Sequence, residues 1–130
     1  DFDADGHDDL AVGSPGDDDG RGPIVVYRGG DVGLTVVSTR SAAGDVAGRT
    51  EAGDRFGAAL RTGDFNGDGF MDLTVGVPGE TAGGRSETGA IVTLDGSATG
   101  LTADGSRAMT QRSPGVRGVG NAGDNWGTAL

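Results

Sequence analysis

At 130 residues the chain has the length of one ordinary domain. Leu, Ile, Val and Phe make up just under a fifth of it and the formal net charge is -10, a composition on the disordered side of the usual boundary unless short strands share a thin core and cations offset clustered acids. The same charge and the lack of a basic patch argue against nucleic acid as a partner, no apolar run approaches membrane-spanning length, and the absence of Cys removes disulfides and thiolate metal sites.

In chain order, residues 1–16 read Asp-Phe-Asp-Ala-Asp-Gly-His-Asp-Asp-Leu-Ala-Val-Gly-Ser-Pro-Gly. Asp1, Asp3 and Asp5 occupy alternate positions, Gly6 permits a sharp turn, and Asp9 follows at position 9 of the loop. Such spacing wraps a chain around one hard cation, with the His7 carbonyl as a further oxygen, because Ca²⁺ takes six to eight oxygens at roughly 2.3–2.6 Å. Leu10 to Val12 then predicts a short strand. The run Asp17 to Asp19 reads as a solvated connection, and Pro23 to Tyr27 as the next strand. A weaker outer strand is expected over Thr35 to Arg40.

The pattern then starts again. Shifted by 63 positions, Asp1, Phe2, Asp5, Gly6, Asp9, Leu10, Val12, Gly13, Pro15 and Gly16 meet identical residues, and Asp3 meets Asn66. The second loop therefore offers Asp64, Asn66, Asp68, the Phe70 carbonyl and Asp72. Asn-Gly and Asp-Gly are also common hairpin-turn dipeptides, but ordinary turns do not repeat their acids in this way. Position 12 is Val75 rather than the bidentate Glu of a helix-flanked calcium loop, and Leu-Thr-Val-Gly-Val reads as a strand, so the loop is expected between two strands. Ala90 to Leu94 repeats Pro23 to Tyr27 at an offset of 67, and Arg107 to Gln111 is the expected outer strand. Glu51 to Leu60 and Asn121 to Leu130 repeat at an offset of 70.

Short strands, Gly-rich turns and a period near 65 to 70 residues predict a radially repeated all-β fold. Phe56-Gly57, the loop from Asp64 to Asp72 and Val77-Pro78-Gly79 resemble the FG-GAP repeat of the integrin alpha-subunit β-propeller and its bacterial relatives. The resemblance implies four-stranded antiparallel blades, about two of them here, with Gly57 to Thr62 as an innermost strand and structural Ca²⁺ in each loop. It divides the chain at 1–55, a first repeat lacking its inner strand, 56–125, a second repeat, and 126–130, the start of a third. Trp126 stands where Phe56 stands in the preceding copy. Because the chain opens inside a loop and closes on an expected inner strand at Leu130, it is expected to be part of a longer polypeptide or a unit that completes a ring by self-association.

Catalysis finds little support. His7 is the sole histidine, which leaves a Ser-His-Asp arrangement and a His-ligated zinc without their parts, and the acids are spaced for metal ligation rather than as a separated acid and base. A non-catalytic, calcium-binding scaffold for extracellular or cell-surface adhesion is expected, with a protein or glycan as its ligand. Tyr27 and Trp126 keep open a glycan-binding, lectin-like propeller, and an accessory domain of a secreted hydrolase is a further alternative.

Overall fold

The computed structural model describes residues 1–41 and 51–130. Residues 42–50, part of the expected first repeat, lie outside the described residues. The elements are β1 (Leu10–Gly13), α1 (Asp17–Gly20), β2 (Pro23–Arg28), β3 (Thr35–Ser41), β4 (Leu60–Gly63), β5 (Asp72–Val77), β6 (Ala90–Asp95) and β7 (Thr102–Met109). They form two antiparallel meanders, β1-β2-β3 and β4-β5-β6-β7. α1 is a tight turn rather than a regular helix, since Asp18 and Asp19 have positive φ. Asp17 to Asp19 are exposed there, and Arg21 pairs with Asp18 at 3.4 Å.

Three strands depart from the sequence reading by more than one residue. The inner strand expected over Gly57 to Thr62 begins at Leu60, because Gly57 has a positive φ and the Ala58 amide closes a turn onto the Arg55 carbonyl. The outer strand expected over Arg107 to Gln111 runs from Thr102 to Met109. Its Asp-Gly pair lies in a bulge, with Thr102 opposite Asp95 and Arg107 opposite Thr93, so turn chemistry is absorbed inside the strand. Residues 128–130 form no strand, and no neighbouring strand is available to them among the described residues.

The core lies between the sheets. Ile24 and Val26 from one sheet join Leu73, Val75, Val77, Ala90, Val92 and Leu94 from the other, closed by Phe2, Phe56 and Leu101. Because side chains alternate across a strand, each sheet gives only one face to this core, and the two copies give opposite faces. Leu10 and Val12 are 43% and 40% exposed, whereas their counterparts 63 positions on, Leu73 and Val75, are fully buried. The reverse holds for Phe2, buried, against Phe65, 57% exposed, and for Ile24, fully buried, against the half-buried Ile91. Equivalent residues thus meet different surroundings because the sheets are stacked in the same sense, front to back.

A strap after each sheet fixes this stacking. Amides of Gly53, Arg55 and Phe56 donate to the carbonyls of Asp19, Gly20 and Arg21 at 3.0, 2.7 and 3.1 Å. Seventy positions on, those of Gly123, Asn125 and Trp126 donate to Ser86, Glu87 and Thr88 at 3.2, 2.9 and 3.1 Å. The approach is close enough that a Cβ at Gly13 would strike the Gly57 carbonyl, and one at Gly76 the Gly127 carbonyl. Phe56 is fully buried under its strap, while Trp126 is half-buried.

The Asp54 carbonyl of the first strap accepts the Gly79 amide at 2.9 Å, next to Glu80. Burial lifts the Glu80 carboxyl to about 7, with Asp54 and Glu51 adding repulsion. Between its ordinary 4.5 and about 7 the folded chain holds a proton that the unfolded chain has released, so this group's contribution to stability falls as pH rises through that window. Glu80→Gln is accordingly expected to raise the melting temperature more at pH 8 than at pH 5, as thermal unfolding at the two pH values checks. The core predicts a second contrast, read by urea denaturation. Leu73→Ala costs about 2–5 kcal/mol, as a fully buried leucine should, and Leu10→Ala, the same change at the equivalent position, costs less than about 1 kcal/mol.

Candidate metal centre

The first acidic loop leads into β1, the first strand of its sheet, and the second joins β4 to β5. Their hydrogen bonds correspond almost one for one. The Asp1 carboxylate accepts the amides of Asp5 and Gly6 at 3.1 and 3.0 Å, as Asp64 accepts those of Asp68 and Gly69 at 3.1 Å each. Asp5 accepts the His7 amide at 2.9 Å, as Asp68 accepts that of Phe70 at 2.9 Å. Position 9 ties each loop to its sheet. Asp9 accepts the amides of Phe2 and Gly29 at 2.7 and 2.9 Å, and the fully buried Asp72 those of Phe65 and Gly96 at 2.9 and 2.8 Å. The turn requires a positive φ at its fourth residue, met by Ala4 in one copy and Gly67 in the other.

Oxygens of Asp1, Asp3 and Asp9 all lie within 4.8 Å of one another. Oxygens on a calcium shell of about 2.4 Å radius are at most about twice that far apart, so this trio fits one such cation. Asp5, also in the first loop, is exposed, and the His7 amide and ring lower its pKa against the opposing effect of desolvation. The His7 ring bridges Asp31 and Asp5 at 3.2 Å each, bonds that raise its pKa.

In the second loop Asp64, Asp68 and Asp72 do not form such a trio among the described residues. The Asn66 amide nitrogen donates to Asp68 at 2.9 Å, and its oxygen accepts the Asp68 amide at 2.9 Å. Sequence reasoning missed Arg28, which pairs with the buried Asp3. Tyr27 and Trp126, considered for glycan stacking, are both half-buried, Tyr27 in β2 and Trp126 outside the named strands.

Repeated antiparallel sheets with an acidic turn leading into β1 in one and β5 in the other define a chain of propeller-type repeats. Residues 56–94 match the FG-GAP repeat family, and the chain carries integrin-like FG-GAP repeats, each sheet being a blade. It is 38% identical over 107 residues to phosphatidylinositol-glycan-specific phospholipase D of Rattus norvegicus, a match covering 77% of this chain and 13% of that protein. It is 40% identical over 81 residues to integrin alpha-V of Gallus gallus, covering 61% and 8%, and 35% identical over 82 residues to integrin alpha-7 of Mus musculus, covering 63% and 6%. The chain therefore spans about an eighth or less of the length of these relatives. No helix among the described residues is long and apolar enough to cross a membrane.

Proposed function

We propose that the chain is a calcium-stabilised, non-catalytic part of a propeller scaffold for binding or adhesion outside the cell or at its surface. The observation that carries this reading is the Asp1, Asp3 and Asp9 trio within 4.8 Å, in a loop whose acids recur 63 positions later. The first site would be held by Asp1, Asp3, Asp5, Asp9 and the His7 carbonyl, the second by Asp64, Asn66, Asp68, Asp72 and the Phe70 carbonyl. The cation's part is to neutralise clustered carboxylates and close each loop, which stabilises the folded state as any ligand selective for it does. The repeats divide at 1–55, 56–125 and 126–130. The outward apolar residues Leu10, Val12 and Phe65 are covered by further blades, from a longer chain or from associating copies, and the ligand is an extracellular protein or glycan.

A second reading rests on the phospholipase relative, whose match covers 77% of this chain but 13% of its own length. In that reading the repeats are an accessory domain of a secreted hydrolase whose chemistry lies elsewhere in a longer protein. Hydrolysis of a glycan-linked phosphatidylinositol by the full-length protein would favour it, and its absence would favour the scaffold.

For calcium itself, saturating Ca²⁺ at about a hundredfold over the dissociation constant contributes about 2.7 kcal/mol per site. The expected outcome is a rise of about 5–10 °C in melting temperature for each occupied site, reversed by a chelator and smaller with Mg²⁺. A melting temperature indifferent to Ca²⁺ would contradict the reading.

A further inference from the structure

The two loops differ most in what faces position 3. In the first loop Asp3, whose side chain is 3% exposed, is paired with the Arg28 guanidinium. Arg28 is the last residue of β2, next to Gly29, whose amide holds Asp9 at 2.9 Å. The strand end thus delivers both an amide for one member of the carboxylate trio and a full positive charge for another. Phe2, Asp3, Asp9, Val26, Arg28 and Leu101 line a small cavity of about 80 Å³ at this point, so the pair sits in partly desolvated surroundings, where charge interactions are weakly screened.

The second loop keeps the amide, from Gly96 to Asp72 at 2.8 Å, but has neither member of the ion pair. Asn66 replaces Asp3 and Asp95 replaces Arg28 at the equivalent positions, and no ion pair reaches Asp64, Asp68 or Asp72 among the described residues. By carboxylates alone the first loop carries four negative charges against three, and would be ranked the tighter site. With Arg28 counted, four minus one leaves three, the same as its counterpart, and a divalent cation entering the first loop must share or displace an arginine already bound to one of its ligands.

We propose that Arg28 is a built-in counter-cation of the first loop. It holds Asp3 in place when no metal is bound, and it makes the first loop the weaker and more readily emptied of the two calcium sites. The proposal rests on the calcium reading above, and its test separates the two. Calcium is titrated calorimetrically into the full chain carrying Asp68→Ala, which removes the second loop's exposed position-5 carboxylate, and into the same chain with Arg28→Gln added.

The expected result is that Arg28→Gln tightens calcium binding at the first loop by about tenfold or more while lowering the melting temperature in chelator. Binding that is unchanged or weaker in Arg28→Gln overturns the role of Arg28 and leaves the calcium reading standing. Absence of calcium uptake by the wild-type chain and both variants overturns both. Should Arg28→Gln fail to fold, the wild-type chain supplies the second measurement. Its Arg28 Nε–H resonance is expected to shift as calcium fills the first loop, and a resonance unmoved at saturation overturns the proposal.

Discussion

A β-strand presents side chains alternately to two faces, and apolar residues stand on both faces of each sheet here. A single blade of this sequence cannot bury both sides of itself, and that constraint organises the rest. Ile24 and Val26 of one sheet are buried in the same cluster as Leu73 and Val75 of the other. Leu10 and Val12 are left 43% and 40% exposed by the same geometry. A thin composition suffices for a core because each residue is asked to fill half of an interface, with the neighbouring repeat supplying the other half.

The close approach of the sheets and the acidic loops belong to the same design. Gly13 and Gly76 leave room for the straps, and the straps bring Phe56 and Trp126 across successive blade edges. Each acidic loop is anchored at position 9, by Asp9 or Asp72, to the backbone amide just after β2 or β6. The loops are therefore held to the sheets before any cation is considered, with amides satisfying many of the carboxylate lone pairs. Arg28 adds a charge of opposite sign at one loop only, so nearly identical loops are placed in unequal electrostatic surroundings.

Much of this was legible in the sequence. The repetitions at offsets of 63 and 67 residues located both acidic loops and β1, β2, β5 and β6, because tight turns and paired strands demand particular residues at fixed spacing. The bulge in β7 was not legible, since Asp104-Gly105 reads locally as a turn and only pairing with β6 keeps it inside a strand. Nor was the opposite burial of Leu10 and Leu73, because identical residues in identical local sequence differ only in which neighbour covers them. Arg28 was missed for a related reason. It is distant in sequence from Asp3, and its counterpart Asp95 carries the opposite charge, so repetition gave no sign of the contact.

Native-state amide hydrogen exchange tests the shared core most directly. If the two sheets stabilise one another through opposite faces, the amides of Val25 in β2 and those of Val75 and Val92 in β5 and β6 open with the same free energy, as one cooperative unit. Exchange of the β2 amide through a separate, much lower-energy opening, with β5 and β6 still protected, would contradict the account and show that each sheet stands by itself.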